Sequence, residues 1–146
     1  MKVLVVCTGN KFRSPIVAAM LRKLGVGALS AGVSPNIKGD SFPKKTHQTF
    51  ARLELNMPIM EFRSRPVTGE LVTWADKVIY MQPSHKIVLD KYTVHLRNNN
   101  KLVCLADFAV TPLTKIPDPA FDKDNFDVIV LLMQQCVDRF VVAYRL

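Results

Sequence analysis

The residues Val3-Leu4-Val5-Val6 run directly into Cys7-Thr8-Gly9-Asn10-Lys11-Phe12-Arg13-Ser14-Pro15. An unbroken apolar run of this kind reads as a strand buried on both faces, the hallmark of a parallel sheet covered by helices. Pro15 suits the first turn of a following helix, where its missing N–H costs nothing. The nine residues from Cys7 to Pro15 therefore form a tight loop at a helix N-terminus. Orphan N–H groups and the helix dipole hold an anion there, and the same field favours a thiolate on a neighbouring cysteine. Arg13 offers a planar fork of donors able to grip two oxygens of one phosphate. Gly9 and Asn10 are the residues expected to take positive φ so that successive amides aim inward.

A cysteine at the end of a core strand is ordinarily packing and nothing more. Cys, Arg and Ser at these offsets, however, recur by chance in roughly one chain in a hundred at average usage. A Walker-type nucleotide loop is excluded, because the first glycine is missing at the required distance and no Ser or Thr follows Lys11.

Alternating strands and helices continue to the end without a visible boundary. Helix signals follow Pro15, with Ile16, Ala19, Met20, Leu21 and Leu24 inward and Gly25 as the stop. A short strand is expected over 28–31, a helix over 43–55 with Phe50, Leu53 and Ala51 inward, and a short helix from Thr68 to Val72. A strand over 77–81, a helix over 83–92 and a strand over 101–105 come next. Arg97-Asn98-Asn99-Asn100 reads as a polar turn. A final helix from near Asp124 to near Tyr144 carries Val128, Ile129, Leu132, Met133, Cys136, Val137, Phe140 and Tyr144 as one apolar stripe, expected to be core. This βα alternation over 146 residues implies a single α/β domain (1–146) with a parallel sheet, right-handed crossovers and helices on both faces. Ligands in such sheets bind beyond the carboxyl ends of the strands, where strand order reverses. The 106–123 segment is long for a structureless connection and is read as a functional loop carrying Asp118 toward that edge.

These motifs identify a family. The chain resembles the low-molecular-weight protein tyrosine phosphatases, whose signature Cys-x-x-Gly-Asn-x-x-Arg-Ser is met by Cys7 through Ser14. Ser30-Ala31-Gly32 resembles the family's Ser-x-Gly after its second strand. Arg65-Pro66-Val67-Thr68 with Ala75 through Met81 resembles its third helix and strand, and Ile116-Pro117-Asp118-Pro119 its Asp-Pro motif. The resemblance implies a flavodoxin-like sheet of order 2-1-3-4 and a phosphomonoester hydrolase, most simply a protein tyrosine phosphatase. It implies a nucleophile at Cys7, phosphate binding by Arg13 and the Thr8, Gly9, Asn10, Lys11 and Phe12 backbone, and a general acid at Asp118. It further implies a Ser14 hydroxyl donating to the sulfur and an Asn10 side chain reaching toward Ser30 as loop support. No metal or other cofactor is implied. Taken alone, Asp118-Pro119 reads as a turn starter.

Three departures bear on specificity. Many members carry a second cysteine where this chain has Phe12, so a reversible disulfide with the nucleophile is not expected. Behind Asp118-Pro119 stand Ala120 and then Phe121, where many members place an aromatic first. Ile37 stands near where some members place a rim aromatic. Phosphotyrosine preference is thus less marked than phosphate-ester chemistry itself.

A net charge of +8 would draw acidic phosphopeptides if Lys11, Lys38, Arg63, Arg65, Lys115 and Lys123 gather at the mouth; scattered, they are a solvated surface. Neither a nucleic-acid-binding module nor a run of ~18 apolar residues is present, so neither nucleic acid nor membrane is an expected partner. Three unpaired cysteines and the lack of a leader pattern fit a cytoplasmic protein, monomeric or weakly dimeric. Cys104 and Cys136 are expected in the core. Alternatives that remain are an arsenate reductase of the same fold, a phosphatase of small aryl or sugar phosphates, and a non-catalytic module that docks phosphoproteins.

Overall fold

A computed structural model describes residues 1–56, 61–96 and 100–146. Its centre is β1 (Lys2–Cys7), whose Val3, Leu4, Val5 and Val6 are fully buried as the apolar run requires. In chain order follow α1 (Arg13–Lys23), β2 (Gly27–Gly32), α2 (Lys44–Arg52), α3 (Gly69–Trp74), β3 (Lys77–Tyr80), α4 (Pro83–Thr93), β4 (Leu102–Cys104) and α5 (Phe126–Ala143). The strands form one parallel sheet of order β2-β1-β3-β4, with Val5 opposite Ser30 on one side and Ile79 on the other. Chain order reverses at β1, so the crevice beyond Cys7 is where a ligand is expected.

Alternation along β1 divides the core. Val3 and Val5 face Ile16, Met20, Ile129, Met133, Val137 and Phe140 of α1 and α5. Leu4 and Val6 face Val72, Ala75 and Leu89 on the side of α3 and α4. Cys104 and Cys136 are both buried in the first cluster, as expected.

Several sequence expectations are corrected. Val128 is 62% exposed, whereas Phe126 and Val130 are buried. The inward face of α5 follows 126, 129, 130, 133, 136, 137 and 140, and Val128 lies off that i, i+3, i+4 line. Leu24 is exposed because α1 ends at Lys23 and Gly25 turns the chain at φ +84°. Ala51 is exposed too. The inward face of α2 is Thr46, Thr49 and Phe50, and the helix stops at Arg52, three residues early. Glu54 then adopts φ +53°, and Leu55 donates its N–H to the Phe50 carbonyl at 2.9 Å, which turns Leu55 into the core. The 106–123 segment is not structureless throughout, since Leu105–Phe108 forms a 3₁₀ turn and another spans Lys123–Asn125. Of the expected polar turn at Arg97-Asn98-Asn99-Asn100, the first three residues lie outside the described residues. Among the described residues no helix is long and apolar enough to cross a membrane.

Candidate active site

The loop leaving β1 is anchored from outside through its carbonyls. Val33 and Ser34 donate N–H groups to the carbonyls of Cys7 and Thr8 at 2.9 and 3.0 Å, and the Thr46 hydroxyl donates to the Lys11 carbonyl at 2.7 Å. Only one of the two predicted positive-φ residues takes that conformation. Asn10 has φ +58°, while Gly9 does not, and a Cβ at Gly9 would meet nothing within 4 Å. Asn10 tolerates the left-handed region because its short side chain bonds locally. Its Nδ2 donates to both Ser14 Oγ and Ser30 Oγ at 2.9 Å, and its Oδ1 accepts the Arg65 backbone N–H at 3.0 Å. Gly32 is required by close approach, since a Cβ there would lie 2.6 Å from the Thr8 carbonyl and 2.5 Å from Ile37 Cδ1.

Cys7 Sγ sits 3.0 Å from Ser14 Oγ. That hydroxyl already accepts from Asn10, so its hydrogen is directed either to the sulfur or to the Ala31 carbonyl at 3.3 Å. Arg13 is 1% exposed and its fork is held from both sides. Nη1 donates to Gln82 Oε1 at 2.7 Å and to the Ile116 carbonyl at 2.8 Å; Nη2 donates to Thr8 Oγ1 at 3.2 Å and to Asp118 Oδ2 at 3.4 Å. Asp118 starts a turn, one of the two roles its sequence allows. Its Oδ1 accepts the Ala120 N–H and its carbonyl accepts the Phe121 N–H, which makes a turn, and the turn aims Oδ2 at Arg13.

Cys7, Thr8, Gly9, Lys11, Phe12, Arg13, Asp118, Ala120 and Phe121 line one cavity of about 210 Å³. Phe12 stands edge-on to Phe126, and Phe121 is 90% exposed at the rim. Asn10, Ser14 and Ser30 are buried behind the loop. Ile37 is not among the lining residues; it packs over Gly32 instead. The basic residues do not gather as one ring. Lys11 lines the cavity but is paired with Asp40 at 2.8 Å, and this contact holds the Asp40 carboxyl below its ordinary pKa. Lys115 borders the adjoining cleft with Gln82 and Asp122, and Arg63 and Arg65 line a separate hollow.

Gln82, His85 and Thr46 contribute contacts that sequence reasoning missed, because none lies in a recognisable motif. His85, 1% exposed on α4, accepts the Met81 N–H on Nδ1 at 3.3 Å. Its hydrogen is therefore on Nε2 and points at Thr8 Oγ1, 2.9 Å away. Both lone pairs of the Thr8 oxygen are then taken, by His85 and Arg13, which leaves the Thr8 hydroxyl hydrogen for a ligand in the cavity. Burial, aided by the Arg13 charge, lowers the His85 pKa from 6.5 to about 4. The unfolded state therefore binds the extra proton first, and stability falls as pH drops from 6.5 toward 4. The loss is up to roughly 3 kcal/mol, at about 1.4 kcal/mol per pH unit. Denaturant melts across that window should show a shallower pH slope for His85→Gln than for the wild type; equal slopes would refute the assignment.

Among the described residues no group of three or more His, Cys, Asp or Glu is placed to hold a metal. What the arrangement can do is bind a tetrahedral oxyanion over a sulfur nucleophile, with a carboxyl group beside it.

Comparison with known proteins bears on the family and the fold. The chain is 35% identical over 86 residues to the probable low molecular weight protein-tyrosine-phosphatase EpsP of Ralstonia nicotianae, covering 58% of this chain and 57% of that protein. It is 34% identical over 95 residues to a protein-arginine-phosphatase of Bacillus subtilis, covering 61% of each. The chain thus spans less than two thirds of the curated relatives it matches. The crystal structure of YfkJ from Bacillus subtilis superimposes with a TM-score of 0.86 at 23% identity, covering 99% of this chain and 94% of that one, and shares its fold. The sequence model of the low molecular weight phosphotyrosine protein phosphatases matches residues 2–143, and the chain belongs to that family.

Proposed function

We propose that this chain hydrolyses phosphate monoesters on protein through a phosphocysteine at Cys7. The observation that carries the reading is the meeting of Cys7 Sγ, the Arg13 guanidinium and the Asp118 carboxyl group on one cavity, from segments more than a hundred residues apart. The Cys7 thiolate attacks phosphorus and forms the S–P bond as the P–O bond to the leaving group breaks. Asp118, protonated for this step, gives its hydrogen to the departing oxygen. A water then takes the leaving group's place. Asp118 removes its proton, the new O–P bond forms, the S–P bond breaks and phosphate leaves with the thiolate regenerated. Arg13, the loop amides and the Thr8 hydroxyl would hold the equatorial oxygens, where charge changes most.

Hydrolysis of p-nitrophenyl phosphate in the presence of chelator tests this reading. Wild type should turn over, and Asp118→Ala should lose about 100-fold in kcat, the lower end of what a positioned general acid supplies. Because a nitrophenolate needs little protonation, the loss should grow with a poorer leaving group such as phenol. Wild type that is folded yet inactive would overturn the proposal.

A second reading concerns the leaving group. The Bacillus subtilis relative is named a protein-arginine-phosphatase, and the first residue after Asp118-Pro119 is Ala120, with no aromatic wall at that position. Phosphotyrosine and phosphoarginine peptides of one sequence, compared by kcat/KM, decide between them. A redox relay of the arsenate-reductase kind draws no support from Cys104 and Cys136. Both thiols are buried, and burial raises their pKa values, that of Cys136 to about 11.

A further inference from the structure

Behind the loop, a second hollow of about 210 Å³ is bordered by Arg22, Arg63 and Arg65, with Ser30 at its floor and Glu61 as its one acidic neighbour. Each arginine spends one donor on a backbone carbonyl. Arg22 Nη1 bonds Ala28 at 2.8 Å, Arg63 Nη1 bonds Phe62 at 2.6 Å and Arg65 Nε bonds Ser30 at 2.9 Å. Most of each donor fork remains uncommitted. Among the described residues, neither these arginines nor Glu61 forms an ion pair. Arg22 Nη2 is moreover the one buried side-chain nitrogen or oxygen among them without a hydrogen-bond partner. An unsatisfied buried donor on a cation is costly and marks a place where a water or an ion belongs. The hollow is several times the roughly 30 Å³ of one water, enough for a small oxyanion with part of its hydration.

We propose that this hollow is a second oxyanion site, separate from the catalytic cavity, which takes phosphate between Arg22, Arg63 and Arg65. Three guanidinium forks against one carboxylate leave a net positive site, and a phosphate offers several forks more charge and more acceptor oxygens than a carboxylate does. The site also touches the catalytic loop from behind. Arg65 meets Asn10 Oδ1 through its backbone N–H and Ser30 through its side chain, and Ser30 Oγ accepts from Asn10. Phosphate held by Arg65 therefore braces the residue that positions Ser14 beside the sulfur. This inference goes beyond hydrolysis and does not depend on it, because binding is read without turnover.

The test is a titration of the wild-type protein with inorganic phosphate, followed by amide resonances in an ¹H–¹⁵N NMR spectrum. Leu29, Ser30 and Arg63 should shift along one binding curve, and Thr8, Gly9 and Phe12 along another. Arg63→Gln, at an exposed position, should weaken the first curve by about tenfold or more and leave the second unchanged. Arg22→Lys should weaken it likewise, since an ammonium cannot fork. Acetate at the same concentration should move neither Leu29 nor Arg63. Repeating the titration with O-phosphoserine assigns the source: tighter binding than inorganic phosphate points to a phosphorylated side chain, weaker binding to the free ion. If Leu29 and Arg63 do not respond, respond equally to acetate, or respond to phosphate as before in both variants, the site does not exist.

Discussion

Cys7→Ser is expected to lower kcat on p-nitrophenyl phosphate by at least about 10,000-fold, the scale on which loss of a covalent nucleophile is felt. The exchange is nearly isosteric in a buried site, so packing against Ile16 and the β1 strand should survive. What changes is the nucleophile. A serine hydroxyl is a weak nucleophile unless a base takes its proton, and among the described residues no base hydrogen-bonds to position 7. Ser14, 3.0 Å away, is itself a hydroxyl and offers only a hydrogen bond. Phosphate binding should persist, because Arg13 and the loop are untouched. Steady-state kinetics together with product inhibition by phosphate check both halves. Residual turnover above roughly 1% of wild type would assign the nucleophile elsewhere.

Arg13→Lys should cost about 1,000-fold in kcat/KM and about 2–4 kcal/mol of stability. These two losses have one structural cause. Four acceptors are arranged around a planar fork: Gln82 Oε1, the Ile116 carbonyl, Thr8 Oγ1 and Asp118 Oδ2. A lysine keeps the charge but presents a single point on a shorter reach, so it cannot serve both nitrogen positions. At least one buried acceptor is left unpaired, and the transition state loses the guanidinium as a donor. Urea melts and kcat/KM, measured side by side, test the joint prediction. A lysine variant of wild-type stability with full activity would show that the fork geometry is immaterial.

How much of this was legible in the sequence depended on the range of each interaction. The Cys7–Pro15 segment encodes its own conformation, so the strand, loop and helix start could be read from nine residues. Asp118 was legible only through the resemblance of Ile116-Pro117-Asp118-Pro119 to the family's Asp-Pro motif, because an Asp-Pro pair alone reads as a turn starter. Gln82 and His85 were not, since each looks like an ordinary residue at the head of α4 and acquires its role only when β3 pairs with β1. Thr46 was missed for a related reason. On an amphipathic helix a threonine reads as surface, yet its hydroxyl is buried against the Lys11 carbonyl. Arg63 and Arg65 show what composition leaves undecided. Composition left open whether they gather at the catalytic mouth or are scattered, and they line a separate hollow. Val128 was misassigned because hydrophobicity alone does not say which of two adjacent positions lies on the inward line of α5.

The reach of Arg13 also has a meaning in folding time. Its side chain joins a residue in the first helix to the Ile116 carbonyl, 103 positions later, and to Gln82 between them. Closing contacts of such span costs chain entropy before any of them rewards it, so they are expected among the late events of folding. During synthesis the first strand and helix emerge long before Ile116 and Asp118 do. An incomplete nascent chain therefore presents the cysteine loop without the Asp118 carboxyl group and with a guanidinium lacking its anchors. The cavity is complete only once the segment between β4 and α5 has docked, so under the proposed function turnover would report the finished topology.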